Sequence, residues 1–304
     1  MSVIVIGNVT VDLSYEVKKL PCPGETLLAG GKMVDAGGKG LNQAIAASRT
    51  GTGVDFIAAA GDDAAAEMIR KRLASERLRV TELFVTPFAT DESIILIGSD
   101  GLNAIVSTDS SAKWLTIDAL APYWKNVRAG DTLLLQGNLS RKTTKHCLKT
   151  GFKAGIRTVL NPSPIDFSYD DIWLSVHTVV VNEIEAQQLS GEKDPEKAGL
   201  RFLNMGLDTV IVTLGSDGAI AMSKGLRVTV AAPKVTAVDT VGAGDVFVGS
   251  FVAGLDLGLS LKQSLDFAVE AASLSVTRRG TTAAFPSAKE MSELLELKRN
   301  VKVS

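Results

Sequence analysis

The chain has 304 residues, of which 45% are hydrophobic, and 32 basic residues nearly balance 34 acidic ones to give a net charge of −2. This balance argues against nucleic acid as the main ligand. Two cysteines, Cys22 and Cys147, cannot build a disulfide framework and favour a reducing, cytoplasmic setting. We find neither a signal-peptide pattern nor an apolar run long enough to span a bilayer, so no membrane partner is expected.

Short apolar runs alternate with amphipathic stretches along the chain. The predicted strands are Val3–Ile6, Phe56–Ala59, Thr132–Gln136, Thr158–Leu160, Val179–Val181 and Val210–Thr213. The predicted helices are Leu41–Thr50, Ala65–Ser75, Ile117–Val127, Thr143–Ala154, Glu183–Leu189 and Glu196–Asn204. Most of these strands are apolar through most of their length, as are strands buried on both faces. The pattern predicts an α/β fold in which a mostly parallel sheet carries helices on both faces.

The later part of the chain changes character. Ala219–Ser223 and Arg227–Ala231 are predicted to form a β-hairpin, and three helices are predicted to start near Gly242, Leu261 and Ala288. Several of the earlier helices are followed by glycines that are predicted to stop them: Gly51, Gly155, Gly191 and Gly206.

Two stretches, at about residues 10–34 and 93–107, interrupt the strand–helix alternation. The second contains IILIGSDGLNAIVS and is predicted to be a hairpin that turns near Asp100 and Gly101. We expect both stretches to form a small β-sheet lid outside the main sheet. The alternative is that they are edge strands of the main sheet.

The string DTVGAGD, Asp239–Asp245, is the most specific motif in the sequence. Gly242, Ala243 and Gly244 let backbone N–H groups point into open space, and the helix predicted to begin there adds the positive end of its dipole. A carboxylate beside such an anion site suits removal of a proton from a hydroxyl while charge builds on a transferring phosphate. We therefore predict that Asp245 is catalytic; a glycine turn with an acidic helix cap is the alternative.

A second glycine-rich motif, GGKGLNQA, spans Gly37–Ala44. Its glycines permit close approach of a ligand to the backbone, Lys39 supplies a cation, and Asn42 supplies a side chain that both donates and accepts hydrogen bonds. Upstream, Asp12 follows a buried strand and a turn, where open α/β sheets usually bind ligands. A flexible loop with a solvated lysine, and a surface acid, are the alternatives.

Two weaker motifs follow later strands. TLGSDG, Thr213–Gly218, is a small polar turn that suits nucleotide phosphates or a simple β-turn. In VNEIEAQQL, Asn182 and Glu185 open a helix, and Glu185 is interpreted either as orienting a magnesium-bound water or as capping the helix. The sequence lacks GxxxxGK[ST] and a GxGxxG after the first strand, which argues against a Walker-type or dinucleotide site.

Seven motifs, in chain order, carry a resemblance to a known family: GNVTVD, PGET, GGKGLNQA, NPSP, VNEIEA, TLGSDG and DTVGAGD. Over essentially its whole length the sequence closely resembles the ribokinase-like (PfkB) carbohydrate kinases. The resemblance implies one domain, residues 1–304, folded as a three-layer αβα sandwich with a β-lid that closes over a sugar. It also implies transfer of a phosphoryl group from ATP, with Mg²⁺, to a primary hydroxyl.

The resemblance also implies a role for each matching position. Asp245 would be the general base, and the backbone of Gly242, Ala243 and Gly244 would form the anion hole. The implied sugar-binding residues are Asp12, Gly38, Lys39 and Asn42. The implied nucleotide and magnesium residues are Asn182, Glu185, Thr213, Gly215 and Gly218. Two loops would hold a monovalent cation, expected to be K⁺, through Asp239, the carbonyl of Val241, Ser275, Arg278, Gly280 and Ala284.

Three positions depart from the ribokinase pattern. Asn138 stands where an acid usually holds the sugar, Thr10 stands where Asn is frequent, and Val269 replaces a frequent His in the adenine region. The first two bear on the sugar, and the polar groups of a pocket set substrate choice. Ribose remains the first expectation, and the two departures leave another pentose or hexose, a sugar phosphate or a nucleoside as alternatives. A non-catalytic sugar sensor on the same fold is a further alternative, against which the intact Asp245 string argues.

The lid is also expected to make a homodimer. It carries apolar residues that look exposed, including Leu13, Ile95 and Ile97, and a small isolated sheet cannot bury both of its faces. Ribokinase-like proteins often pair their lids across a twofold axis, so the resemblance supports the same expectation.

Overall fold

The computed structural model describes residues 2–99 and 103–300. Its strands are β1 Val3–Ile6, β2 Thr10–Val17, β3 Gly31–Gly37, β4 Val54–Ala60, β5 Val80–Val85, β6 Glu92–Gly98, β7 Asn103–Ser107, β8 Thr132–Gln136, β9 Arg157–Asn161, β10 Thr178–Asn182, β11 Thr209–Thr213, β12 Ala219–Ser223 and β13 Leu226–Val230. Its α-helices are α1 Lys39–Ser48, α2 Ala64–Ala74, α3 Ser110–Trp114, α4 Ile117–Leu120, α5 Arg141–Lys153, α6 Glu183–Ser190, α7 Pro195–Asn204, α8 Ala243–Asp256, α9 Leu261–Ser275 and α10 Ala288–Asn300. Among these described helices, none is both long enough and apolar enough to cross a membrane.

Nine strands form the main sheet, in the order β13-β12-β11-β10-β9-β8-β1-β4-β5. The seven strands from β11 to β5 are parallel, and the β12–β13 hairpin is antiparallel at one edge. Alternate residues of β1 enter separate cores: Val3 and Val5 face the core built with α1, α2, α8, α9 and α10, and Ile4 and Ile6 face the other. This confirms the predicted α/β sandwich with helices on both faces.

The strand order predicts a ligand crevice beside β1. From β1 the chain proceeds through β4 to β5 on one side, and β8 pairs with its other side. The loops that leave β1 and β8 therefore diverge, and open α/β sheets bind ligands at such a reversal, outside the carboxyl ends of the strands.

A separate four-stranded sheet, in the order β3-β2-β6-β7, forms the lid. The β2–β3 and β6–β7 pairs are antiparallel and the β2–β6 pair is parallel. This confirms the expectation of a lid outside the main sheet and excludes edge strands of that sheet. The turn predicted at Asp100 and Gly101 lies outside the described residues.

The secondary structure corrects three sequence predictions. The predicted helix Ile117–Val127 is wrong as one helix: α4 ends at Leu120, and a 3₁₀ turn, Tyr123–Asn126, follows Pro122, which has no N–H to continue the hydrogen bonds of α4. Strand β5 was missed, because VTELFV mixes polar and apolar residues as an edge strand can. The short helix α3 was missed as well.

Candidate active site

The DTVGAGD string forms the first turn of α8. Gly242 is the residue before the helix, with a left-handed φ of 78°, and its carbonyl accepts the first helical hydrogen bond from the Val246 N–H at 2.9 Å. In the described part of the chain, no residue accepts a hydrogen bond from the N–H of Gly244 or Asp245. The space that a Cβ would fill at Gly244 is open. The turn thus presents free N–H donors and a helix dipole to an approaching anion.

Asp245 is buried at this turn and held by both carboxylate oxygens. Its side chain is 6% exposed. Oδ2 accepts a hydrogen bond from Asn42 Nδ2 at 3.0 Å, and Oδ1 accepts one from Gln43 Nε2 at 2.9 Å. Lys39 Nζ lies 3.9 Å from Oδ1. The carboxylate is therefore oriented by two amides and partly compensated by one cation.

Close packing of α8 on α1 makes these contacts possible. At Gly249 in α8, a Cβ would lie 2.4 Å from the backbone oxygen of Gln43 in α1, so only glycine lets the two helices approach this closely. Asn42, which is 4% exposed, uses its amide nitrogen on Asp245. Its Oδ1 has no hydrogen-bond partner within residues 2–99 and 103–300, which leaves a buried acceptor next to the carboxylate.

The glycines at the start of α1 serve the chain's own packing. Gly38 has a φ of 98°, and a Cβ there would lie 2.9 Å from the Val9 Cα and the Thr10 N. A Cβ at Gly40 would lie 2.6 Å from the Asn8 N, and Asn8 Oδ1 accepts a hydrogen bond from the Gly40 N–H. The backbone of the β1–β2 loop fills the space that a side chain would take at these two positions, so both need glycine for the chain's own packing. That a ligand approaches this backbone from its other side stays a prediction.

Asp12 reaches the site from the lid. It lies in β2, is 5% exposed, and accepts a hydrogen bond from Thr10 Oγ1 at 2.7 Å. Burial raises the pKa of its carboxyl from the ordinary 3.8 to about 6; hydrogen bonds from Thr10 and Ser93 oppose the rise, and the charges of Asp245 and Asp35 add to it. The lid and α8 thus bring two carboxylates within electrostatic reach of each other.

Asn138 follows β8 at the carboxyl edge of the sheet. Its side chain is 5% exposed, and its Oδ1 has no partner in the described ranges. The preceding Gly137 is pressed against the NPSP loop: its N–H donates to the Ser163 oxygen at 3.0 Å, and a Cβ there would lie 2.1 Å from the Pro164 oxygen. The position of Asn138 is therefore set by backbone contacts.

The candidate nucleotide residues gather at the carboxyl ends of β10 and β11. Asn182 and Thr213 are direct partners across these two strands. Asn182 and Glu185 form a reciprocal capping box at the start of α6, as expected if Glu185 caps this helix. Gly215, with a φ of 55°, has open space where a Cβ would lie, whereas a Cβ at Gly218 would lie 2.0 Å from the Val230 oxygen.

The two candidate cation loops are joined by one side chain. Asp239 Oδ1 accepts a hydrogen bond from the Val241 N–H at 3.0 Å, and Oδ2 accepts one from the Gly280 N–H at 3.1 Å. The Arg278 side chain is turned to Glu290, whose pKa it lowers to about 2. Any cation ligands that these loops supply would therefore be mainly backbone carbonyl oxygens.

The remaining residues of the second cation loop are buried: Ser275 and Ala284 are 3% and 2% exposed. Across the described residues there is no cluster of three His, Cys, Asp or Glu side chains that could hold a metal ion.

Three buried amides next to the site were not singled out from the sequence. Gln43 contacts Asp245 directly, and Gln136 and Asn161 lie on its other side. The sequence carried a signal for them: Gln43 and its neighbour Asn42 interrupt an otherwise apolar helix run, LNQAIAA, and the other two amides end apolar strands. A polar side chain in such a place needs a partner, because burying it unpaired is costly.

A parallel sheet, a separate lid and a carboxylate at a helix N-terminus define a ribokinase-like α/β protein. The pfkB family of carbohydrate kinases matches residues 1–288. The chain belongs to that family and is a carbohydrate kinase.

Individual relatives are similar over nearly the whole chain. A ribokinase of Haemophilus influenzae is 30% identical over 298 residues, covering 96% of this chain and 97% of the relative. A deoxyribokinase of Salmonella typhi is 32% identical over 312 residues, covering 98% and 99%. The structure of Arabidopsis thaliana ribokinase complexed with ribose and ATP matches with a TM-score of 0.83 and 27% identity, covering 97% of this chain and 98% of that one.

Proposed function

We propose that this protein transfers the γ-phosphoryl group of ATP to a primary hydroxyl of a pentose, with ribose as the first candidate substrate. The observation that carries the proposal is the Asp245 carboxylate, buried and held by two amides at a helix N-terminus whose N–H groups are free. The similarity to ribokinases over the whole chain supports ribose. The deoxyribokinase, at 32% identity, makes 2-deoxyribose the second candidate.

In this proposal each side chain has a task that its geometry suits. Asp245 takes the proton of the attacking hydroxyl, since each of its oxygens keeps accepting capacity beyond its one amide bond. The free Oδ1 of Asn42 and the carboxylate of Asp12 accept hydrogen bonds from sugar hydroxyls, and the Lys39 ammonium donates to one. Gly38 contributes its backbone to the same surface.

The residues present fit a nucleotide with a divalent cation. The Gly244 and Asp245 N–H groups donate no hydrogen bond in the described part of the chain, and the space beside the Cα is open at Gly244 and Gly215, which favours approach of phosphate oxygens to the backbone. Asn182, Thr213 and Gly218 complete the nucleotide edge, and Glu185 would hold water around Mg²⁺. When bound, ATP–Mg²⁺ supplies the phosphoryl group and neutralises its charge. What this chain adds is positioning, which is most of what phosphoryl transfer requires.

An ADP-release assay across a substrate panel tests the proposal. The panel contains ribose, 2-deoxyribose, other pentoses, hexoses, sugar phosphates and nucleosides, each with ATP and Mg²⁺. We expect the highest kcat/KM with ribose, followed by 2-deoxyribose. Turnover confined to hexoses, sugar phosphates or nucleosides would overturn the pentose assignment, and no turnover with any of them would overturn the proposal as a whole.

Asn138 is expected to set sugar preference. Its neutral amide both donates and accepts, whereas the acid usual at this position only accepts. Asn138→Ala should raise KM for the true substrate and lower kcat/KM about ten- to a hundredfold, because lost pairing of a buried group costs roughly 1–3 kcal/mol. Asn138→Glu should move preference further towards plain pentoses and away from sugars that present an acceptor or an anionic group at this position. Steady-state kinetics on the same panel measures both, and an unchanged panel in both variants would make Asn138 a loop residue only.

Activity is expected to be severalfold higher in K⁺ than in Na⁺ or tetramethylammonium at matched ionic strength. Asp239 joins the two candidate cation loops through the Val241 and Gly280 N–H groups, and the first loop leads directly into the α8 turn. A cation bound by loop carbonyls would therefore fix the anion-binding turn. Equal kcat in all three salts would contradict the cation site.

We expect the lid to pair two copies of the chain. The sequence-based choice of exposed residues was partly wrong, since Ile95 is 2% exposed. The apolar row is instead Val34, Leu13, Ile94 and Val106, which are direct neighbours across the four strands. Of these, Val34 is 49%, Ile94 46% and Val106 73% exposed. Such a continuous apolar face is typical of an interface.

Light scattering at micromolar concentration should give the mass of a homodimer, and Ile94→Asp should give the monomer. Ile184→Asp is the control, because Ile184 is 77% exposed on α6 rather than on the lid. A wild-type protein that stays monomeric would refute the pairing.

A further inference from the structure

A chain of buried side-chain amides runs through the protein to the Asp245 carboxylate. Gln136 Nε2 donates a hydrogen bond to Gln43 Oε1 at 2.8 Å. Gln43 Nε2 in turn donates to Asn161 Oδ1 at 3.0 Å and to Asp245 Oδ1 at 2.9 Å. Gln43 and Gln136 are 0% exposed, and Asn161 is 7% exposed. None of the roles proposed for the sequence motifs accounts for this series of hydrogen-bonded amides.

One backbone carbonyl sets the direction of the whole chain. Asn161 Nδ2 donates to the Val180 oxygen in β10 at 3.0 Å, and a carbonyl can only accept. The Asn161 amide therefore points its oxygen towards Gln43, and Gln43 must donate a hydrogen bond to it from its NH₂ group. The Gln43 oxygen then faces Gln136, which must donate. Reversing any one amide would set two donors or two acceptors against each other.

The same polarity matches the charge of Asp245. A carboxylate accepts hydrogen bonds only, and the Gln43 NH₂ group places one hydrogen on Asn161 and the other on Asp245 Oδ1. Asn42 holds the opposite oxygen, Oδ2. With both amides present, rotation of the carboxylate about its Cβ–Cγ bond breaks two hydrogen bonds; with Asn42 alone, it breaks one.

We propose that Gln43 is a positioning residue that fixes the orientation of the Asp245 carboxylate. The proposal rests on the function proposed above, in which Asp245 is the base. Gln43 has no exposed surface and all its hydrogen-bonding groups are used inside the protein, so it acts through Asp245 rather than on a ligand. A base acts efficiently only when the residues around it hold it in its productive orientation.

The test compares Gln43→Met with Gln136→Met. Methionine has nearly the shape of glutamine and cannot donate. Gln136 is equally buried, but its hydrogen bond to Gln43 goes to the Gln43 oxygen, so its loss leaves both Gln43 donors in place. We expect Gln43→Met to lower kcat about 10- to 100-fold, with KM for sugar and ATP changed less than about threefold, and Gln136→Met to keep kcat within about threefold.

A pH profile separates positioning from damage to the fold. Losing a hydrogen bond to the charged form of an acid disfavours that form. Asp12 in the lid and Lys39 in α1 also face Asp245, and both are unchanged in the two variants. In Gln43→Met, the acidic side of the kcat profile, measured at saturating sugar, should therefore move to higher pH, and in Gln136→Met it should stay in place. A smaller fraction of active enzyme lowers the whole profile without moving it along the pH axis.

If Gln43→Met does not fold, the double variant Gln43→Met/Gln136→Met takes its place. Replacing both partners of a buried hydrogen bond with apolar groups of similar shape is nearly neutral for stability. It is compared with Gln136→Met and should show the same loss of kcat and the same displaced pH profile.

The outcomes distinguish this inference from the function on which it rests. If Asp245→Asn abolishes turnover while the Gln43 variants keep wild-type kcat and an unmoved pH profile, the positioning role is wrong and the proposed function stands. If Asp245→Asn keeps turnover, the assignment of the base fails first. Equal losses in Gln43→Met and Gln136→Met with unmoved profiles would make the amide chain purely structural.

Discussion

Asp245→Asn is expected to keep the fold and most sugar binding but to lower kcat about 10²–10⁴-fold, the usual effect of removing a general base. The side chain is nearly isosteric, and it sits where Asn42 and Gln43 each donate one hydrogen bond. An amide at this position offers one acceptor to two donors, so a modest loss of stability accompanies the loss of turnover.

Asp256→Asn provides the matched control for this variant. Asp256 is the last residue of the same helix and accepts a hydrogen bond from Thr52, far from the α8 turn. Its kcat should stay near that of the wild type. Single-turnover kinetics, with a sugar-induced shift of the melting temperature as the binding readout, measures both variants. A near-full kcat in Asp245→Asn would show that Asp245 is not the general base.

Asp12→Asn is expected to stabilise the empty protein at pH 8 and to weaken sugar binding at the same time. In the folded protein the pKa of Asp12 is raised from 3.8 to about 6, chiefly by burial. Because folding favours the neutral form, ionised Asp12 costs stability as pH rises from about 4 to above 6. At 1.36 kcal/mol per unit, the difference of about 2.2 units amounts to at most about 3 kcal/mol.

The melting-temperature advantage of Asp12→Asn should therefore be full above about pH 6.5 and small near pH 3.5, where the folded wild type is protonated at Asp12 and the unfolded wild type mostly so. KM for the sugar should rise about ten- to a hundredfold at pH 8, since a hydrogen bond to a charged acceptor is worth roughly 1.5–3 kcal/mol. Thermal unfolding over this pH range and steady-state kinetics measure the two effects. A variant that is no more stable at pH 8 than at pH 3.5, relative to wild type, would contradict this account of Asp12.

The strands that the sequence located best are those buried on both faces. Thr132–Gln136 was predicted with its observed bounds, because a continuous apolar run between helical patterns is typical of a central parallel strand. Strand β5 was missed because an edge strand is half-exposed and its polar residues mask the pattern. The lid was located because its two stretches interrupt the strand–helix alternation.

One part of the candidate site could be predicted from residues that are adjacent in the sequence, and the other part depends on residues that meet only in the fold. Asp245 and its turn lie in one continuous string, so their chemistry could be predicted from seven residues. Gln43, Gln136 and Asn161 meet only in the fold: 202 residues separate Gln43 from Asp245, and 118 separate it from Asn161. A pattern read along one sequence cannot join such positions, although each buried amide shows that a partner must exist.

The contact between the β1–β2 loop and the start of α1 has a consequence for how mutations act on this protein. At Gly38 and Gly40, backbone meets backbone with no side chain between them. Core side chains can change rotamer or exchange volume, so substitutions among them mainly alter how much of the protein is folded. A backbone contact has no such freedom, so a methyl group added at either glycine shifts the helix that carries Lys39 and Asn42. Substitutions among core side chains therefore mainly change the fraction of folded protein, whereas a methyl group at Gly38 or Gly40 would change the geometry of the candidate active site in the molecules that fold.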